Sequence, residues 1–250
     1  MPRFFLTDGS ITPDAASATL TGDDARHIAL SLRMAVGEEI TLADGQGFEY
    51  RARLFAITPT EVTADILSAE RSRSELAFPI HLYMGYPKGD KFELVIEKAV
   101  ELGVASITPF ISSRCIRRPA AEKTDRLSER YNKIARSAAG QCGRALLPIV
   151  QAPLSFGDML KRATESSFAL FCYEGDGVRQ IGDLLPTLPH PASVAVIVGA
   201  EGGFSPEEAA DACRAGCIPT GLGRRILRCE TAPLAALSCL DFYYDFRQND

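Results

Sequence analysis

The sequence predicts an α/β chain in two parts: a β-rich module over residues 1–72 and a region over residues 73–250 built on a largely parallel sheet. Three observations support this. Segments before residue 72 alternate apolar and polar side chains in the period of half-buried strands. After about residue 78, apolar strand-like runs alternate with amphipathic helical segments, the pattern of a parallel sheet wrapped by helices. Between them, Arg71-Ser-Arg-Ser-Glu-Leu-Ala-Phe78 shifts the composition and marks a boundary.

The elements follow in order. Glu39-Ile-Thr-Leu-Ala43, Phe48 to Phe55 and Glu61 to Leu67 read as antiparallel strands, with Asp44-Gly-Gln-Gly47 as turn chemistry between the first two. Together they predict a small compact barrel. Pro79 to Tyr86 is the next strand, and Lys91 to Leu102 an amphipathic helix stopped by Gly103. Val104 to Ile111 is a strand, Asp125 to Gln141 a long helix, and Pro148 to Gln151 a short extended piece. Ser155 caps a helix through Arg162, and Phe168 to Tyr173 is a buried strand. Val194 to Val198 is a β-branched run suited to a strand covered on both faces. Ser205-Pro-Glu-Glu208 is a capping box with Pro at the first helical position, and it opens a helix from Pro206 to Arg214. A closing helix starts near Thr231.

The strand–glycine–helix succession around Gly199 places a ligand at the carboxyl end of a strand, where open α/β sheets bind theirs. Gly199, Gly202 and Gly203 let a ligand approach the main chain. The loop does not fit G-x-G-x-x-G, and G-x-x-x-x-G-K-[ST] is absent from the chain. The specific signal is a pair of motifs. Gly199-Ala-Glu-Gly-Gly-Phe-Ser205 is followed about twenty residues on by Leu222-Gly-Arg-Arg-Ile-Leu-Arg-Cys-Glu-Thr-Ala232. Together they resemble the RsmE-type ribosomal RNA methyltransferases of the SPOUT class. The resemblance extends to Lys88-Gly-Asp-Lys91, Glu97 to Val104, Gln141-Cys-Gly-Arg144 with Pro148, Pro2-Arg-Phe-Phe5, and His27 with Arg33, nearly the whole length. Ala200 stands where the family usually has proline, Cys229 where it has threonine, and Gly140 where an acidic residue often precedes the glutamine.

The resemblance implies a C-terminal SPOUT trefoil-knot domain that binds S-adenosylmethionine, preceded by a PUA-like RNA-binding domain. Neither the knot nor the cofactor follows from periodicity. It implies methylation of N3 of one uridine in 16S ribosomal RNA of the small subunit, and a homodimer with active sites completed across the interface. The alternatives are a SPOUT ribose 2′-O-methyltransferase and a non-catalytic RNA-binding assembly factor. The first usually carries Ser-Leu-Asn in its last motif, where this chain has Cys229-Glu-Thr-Ala-Pro. Cofactor-binding candidates are Cys172, Glu174, Val198, Gly199, Gly202, Gly203, Leu222, Gly223, Ile226, Leu227 and Thr231. Arg228 is the candidate for stabilising charge on the uracil carbonyls as the N3 proton leaves. Glu230 or Glu201 positions the base or takes the proton; for both the alternative is a structural role, accepting backbone N–H bonds in a tight turn. RNA-binding candidates are Arg3, His27, Arg33, Lys88, Lys91, Arg114, Arg117 and Arg144. For His27 a structural role is equally open.

Charge and composition fit that expectation. The 250 residues carry a net charge of −5, yet residues 88–144 hold 12 basic against 7 acidic side chains. A local basic patch follows phosphates without a high overall pI. Arg114, Arg117 and Arg118 cluster just after a predicted strand end, where functional loops gather. Seven cysteines without regular spacing suit a reducing compartment, and no run approaches the roughly 20 apolar residues of a membrane span. A cytoplasmic protein with no membrane partner is expected. No metal is expected either: Cys213 and Cys217 fall one helical turn apart but lack a histidine partner. His81 and His190 have no neighbours for a triad, and no G-x-S-x-G elbow is present.

Overall fold

Residues 1–7, 10–12, 16–116, 124–175 and 177–245 are described by the computed structural model. They form two units, one of residues 1–75 with 139–147 and the other comprising the remainder.

The first unit holds β1 (Arg3–Phe5), β2 (Ser17–Thr21), α1 (Gly22–Arg26), β3 (Glu39–Ala43), β4 (Phe48–Ile57) and β5 (Glu61–Arg71). A π-helical turn, His27–Leu32, continues α1. The strands form one sheet in the order β1-β3-β4-β5-β2, parallel at β1–β3 and antiparallel elsewhere. Its period-two pattern buries Ile40 and Leu42, Ala52 and Leu54, and Val62 and Ala64 on one core, closed by Ile28 of the π-helical turn. Each fully buried Leu or Ile contributes about 1.5–3 kcal/mol relative to exposure. The predicted turn is held by Asp44, whose Oδ1 accepts the N–H groups of Gln46 and Phe48 at 2.7 and 3.0 Å.

Residues 139–147 join this unit through Glu75. Its carboxylate accepts the N–H groups of Ala145 and Leu146 at 3.0 and 2.9 Å, and the Arg144 guanidinium at 3.0 and 2.7 Å. Leu146 also bridges to Gly45 and Gln46.

The second unit holds β6 (Ile80–Gly85), α2 (Lys91–Glu101), β7 (Ser106–Ile111), α3 (Thr124–Cys142, whose last turn belongs to the first unit), β8 (Ile149–Val150) and β9 (Leu154–Ser155). Then come α4 (Phe156–Ala163), β10 (Phe168–Cys172), β11 (Arg179–Gln180), α5 (Ile181–Leu184), β12 (Val194–Val198), α6 (Pro206–Arg214), β13 (Ile218–Gly221) and α7 (Ala232–Tyr244). The strand order is β11-β13-β10-β12-β6-β7-β8, with β9 also on β7, and every pairing is parallel. All of β12 is buried. Ala195 and Ile197 join one apolar cluster with Met159 of α4 and Ala212 of α6, while successive strand residues face opposite sides. On the other side α7 lies against β12 and α2. No helix among the described residues is long and apolar enough to cross a membrane.

Two local features place the site. The Ser205 capping box forms: Ser205 Oγ accepts the Glu208 N–H at 3.2 Å, and Glu208 Oε2 accepts the Ser205 N–H at 2.9 Å. The other Glu208 oxygen accepts the Ser113 N–H at 2.7 Å, tying the segment after β7 to the start of α6. At the end of β6, a Cβ on Gly85 would lie 2.4 Å from the Ala200 nitrogen. Only glycine lets the loop after β12 cross there.

Five strands were not read from the sequence: β1, β2, β9, β11 and β13. Residues 218–221 read Ile-Pro-Thr-Gly, and their pairing with β10 on one side and β11 on the other makes them a strand against local propensity.

Candidate active site

Three loops leave the carboxyl ends of β10, β12 and β13 and enclose a cavity of about 840 Å³. Its walls are residues 172–175, 198–204 and 220–230, with Lys91, Arg114, Val178, Gln180, Pro206 and Ala232. The strand pairing brings the loops together. Cys172 pairs with Val198 on one side and Thr220 on the other, so all three chains end level. Tyr173 N–H donates to the Thr220 carbonyl at 3.1 Å, extending that pairing by one step. Gln180 Oε1 accepts the Gly223 N–H at 2.8 Å and holds the third loop.

A compact charge cluster sits at one edge. Lys91, the first residue of α2, donates from Nζ to Glu201 Oε1 at 2.9 Å and stands 3.8 Å from Glu230 Oε2. The Lys88 N–H also donates to Glu201 Oε1, at 3.1 Å. The Cys229 thiol donates to Glu230 Oε2 at 3.3 Å, and Arg228 Nη1 lies 4.0 Å from Glu230 Oε1. The Arg228 side chain is 83% exposed, so its guanidinium is open to a partner from solution. Its carbonyl accepts the N–H groups of Thr231 and Ala232 at 2.8 and 2.9 Å and turns the loop into α7.

These contacts set the protonation states. Burial opposes ionisation of Glu201, but the hydrogen bonds from Lys91 and from backbone N–H groups outweigh it and hold the carboxyl below the usual range. Glu230 behaves alike: burial is outweighed by its own N–H, the Cys229 thiol and the charges of Lys91 and Arg228. Lys91 is held above the usual lysine range, chiefly by its bond to Glu201. Burial, with donation to Glu230, pushes the Cys229 thiol up to about 12, which leaves it a neutral donor. Both carboxylates are therefore anions at neutral pH and weak proton acceptors.

The cavity gathers the predicted residues Cys172, Glu174, Val198, Gly199, Gly202, Gly203, Leu222, Gly223, Ile226 and Leu227, with Arg228, Glu230 and Glu201. Thr231 does not line it; it stands at the N-terminus of α7. Of the predicted RNA contacts, Lys91 and Arg114 line the cavity, Arg114 through a 3.1 Å bond from Nη1 to the Gly202 carbonyl. Lys88 is exposed nearby in sequence. Arg3, His27, Arg33 and Arg144 belong to the first unit. There Arg3 pairs with Glu49 at 2.9 Å, and Arg144 is buried on Glu75, so both guanidinium groups already have internal carboxylate partners. His27 is exposed and meets Phe4 edge-on at 6.2 Å. Arg33 is exposed and ends the π-helical turn in a left-handed conformation. Arg117 and Arg118 lie outside the described residues. Sequence reading did not select Gln180, Thr220 or Gly221. Gly221 and Gly223 flank the recognised Leu222, but nothing local marks Gln180. Among the described residues no group of side chains is placed to hold a metal.

The lining fits S-adenosylmethionine. Glycine-containing turns present backbone donors and acceptors, Val198, Leu222 and Leu227 supply apolar walls, and the volume matches a nucleoside-sized ligand. Ile226, 83% exposed at the rim, is an apolar side chain without a cover.

Comparison with known proteins gives a consistent result. The family model described as an RNA methyltransferase domain matches residues 74–241, and that of the RNA methyltransferase PUA domain matches residues 20–67. Ribosomal RNA small subunit methyltransferase E of Bacillus subtilis is 31% identical over 256 residues, covering 100% of both chains. That of Synechocystis is 34% identical, over 89% of this chain and 72% of its own length. A crystal structure of ribosomal RNA small subunit methyltransferase E from Neisseria gonorrhoeae bound to S-adenosylmethionine superposes with a TM-score of 0.84 at 32% identity, covering 98% of each chain.

Proposed function

Because the chain belongs to the ribosomal RNA small subunit methyltransferase E family, we propose that it transfers the methyl group of S-adenosylmethionine to N3 of one uridine in 16S ribosomal RNA. The observation that carries this reading is the meeting of both sequence motifs in one cavity, with Arg228 exposed at its edge beside two ionised carboxylates.

The bound cofactor supplies an electrophilic methyl on a sulfonium. The residues of this chain supply position and charge. The loops at 198–204 and 220–227 hold the cofactor mainly through backbone groups. N3 of uridine is protonated at neutral pH, and its loss of a proton puts negative charge on the flanking carbonyl oxygens. Arg228, permanently cationic and able to donate two parallel bonds, stabilises that charge. Glu230 and Glu201, held as anions below the usual carboxylate range, are better suited to orienting the base and Arg228 than to taking the proton. The proton then leaves to solvent as N3 attacks.

RNA is held by the exposed cations Arg33, Lys88 and Arg114, with His27, while Arg3 and Arg144 shape the first unit. The active form is a homodimer in the cytoplasm, acting on the small ribosomal subunit and paired through α7, a predominantly apolar helix on which Phe242 is 63% exposed. Sedimentation showing a fully active monomer would rule out that assembly. The reading is tested by mapping modified nucleosides in 16S ribosomal RNA from a strain lacking this protein. It requires one N3-methyluridine to disappear and to return on complementation; loss of a ribose methylation instead would transfer the chain to the 2′-O class.

A further inference from the structure

We infer that Lys91 is a positioning residue, whose ammonium locks the carboxylates of Glu201 and Glu230 together and, through Glu230, fixes Arg228 at the cavity edge. The inference deepens the methyltransferase reading and rests on it. A lysine that meets RNA phosphates should hold its ammonium in solvent, free of internal partners. Lys91 instead bridges two loops from different strands, at 2.9 Å to Glu201 and 3.8 Å to Glu230. Its side chain is only 34% exposed.

Three elements converge there. Helix α2 contributes Lys91 and the loop before it the Lys88 N–H, and the helix N-terminal end favours negative charge. The loop after β12 contributes Glu201. The loop after β13 contributes Glu230, with the Cys229 thiol and Arg228 against it. Arg114 lines the same cavity, bonded to the Gly202 carbonyl and near Glu207. Among the described residues Lys91 is the one cation paired with both carboxylates. Without it, two carboxylates would share a partly buried edge, and like charges in one site raise the pKa of one partner. Their repulsion would pull Glu230 away from Arg228.

The test is a pH titration of the glutamate side-chain carbons by NMR on isotopically labelled protein without RNA, combined with single-turnover methylation. In Lys91→Met, Glu201 or Glu230 should titrate about one pH unit or more above wild type. In Lys91→Met/Glu201→Gln, Glu230 should return toward its wild-type titration, because the competing charge is gone. Lys91→Arg should titrate like wild type, and Lys91→Gln replaces the methionine variant should that one fold poorly. Methylation at neutral pH should fall about 10-fold in Lys91→Met, because the repelling carboxylates no longer hold Arg228 in place, with cofactor affinity by calorimetry nearly unchanged. Unchanged glutamate titration in Lys91→Met would overturn the inference. So would a defect confined to RNA affinity with a shallower salt dependence, the mark of a lost phosphate contact. If the wild-type protein methylated no uridine N3, the functional reading would fall, while the titration would still decide whether Lys91 couples the two carboxylates.

Discussion

Gly202 and Arg114 lie so close that a side chain on Gly202 would press against Arg114. A Cβ on Gly202 would stand 3.0 Å from the Arg114 Cβ and 3.1 Å from its carbonyl oxygen, while Arg114 Nη1 donates to the Gly202 carbonyl at 3.1 Å. The sequence suggests that a side chain at Gly202 would obstruct the cofactor. The blocked direction points at the segment after β7, so the obstruction acts through displaced backbone.

Gly202→Val should therefore lose stability and cofactor affinity together, with overpacking costing about 1–3 kcal/mol in the melt. Calorimetry with S-adenosylmethionine and thermal unfolding on the same sample check this. Wild-type values in both would contradict the contact.

Gly85→Ala tests the neighbouring crossing. Its Cβ would meet the Ala200 nitrogen at 2.4 Å, and backbone cannot rotate aside as a side chain can. The expected loss is about 1–3 kcal/mol, with weaker cofactor binding because residues 199–203 must move. A melting temperature equal to wild type would show that the crossing relaxes freely.

The sequence announces the chemistry of this site better than its framing. Val194 to Val198 is legible because an all-apolar β-branched run between turns has few other uses, and the Ser205 box because its capping bonds are local. The two glycine motifs were recognisable by resemblance, and their meeting follows once β10, β12 and β13 end level. Gln180 was invisible because its role arises from pairing of β11 with β13, across 40 residues of chain. The place of residues 139–147 in the first unit depends on Glu75 accepting two backbone N–H groups, which no periodicity encodes.

Arg228→Lys should lower single-turnover methylation substantially, by about 100-fold on the scale of one lost charge-stabilising donor. Its side chain is 83% exposed, so the melting temperature should stay within a degree or so of wild type, and cofactor affinity should change little. Equal losses in rate, affinity and stability would make Arg228 part of the scaffold.

Acid stability should report Glu201. Its folded pKa is depressed below the unfolded value: burial opposes that direction, and the bonds from Lys91 and the backbone outweigh it. The stabilisation is thus complete above the ordinary glutamate pKa of about 4.3 and is lost as pH falls through the lower folded value. Melting temperatures between about pH 5 and pH 3 should fall less steeply in Glu201→Gln than in wild type. Identical slopes would mean that the Lys91–Glu201 bond does not form in solution.

The most direct measurement is nucleoside mass spectrometry of small-subunit ribosomal RNA, taken from a strain lacking this protein and incubated with the purified chain and isotopically methyl-labelled S-adenosylmethionine. The expected result is label in a single N3-methyluridine, weakened together with cofactor binding by Gly202→Val and reduced without loss of cofactor binding by Arg228→Lys. Label on a ribose 2′-oxygen, or none despite cofactor bound in the cavity, would contradict it.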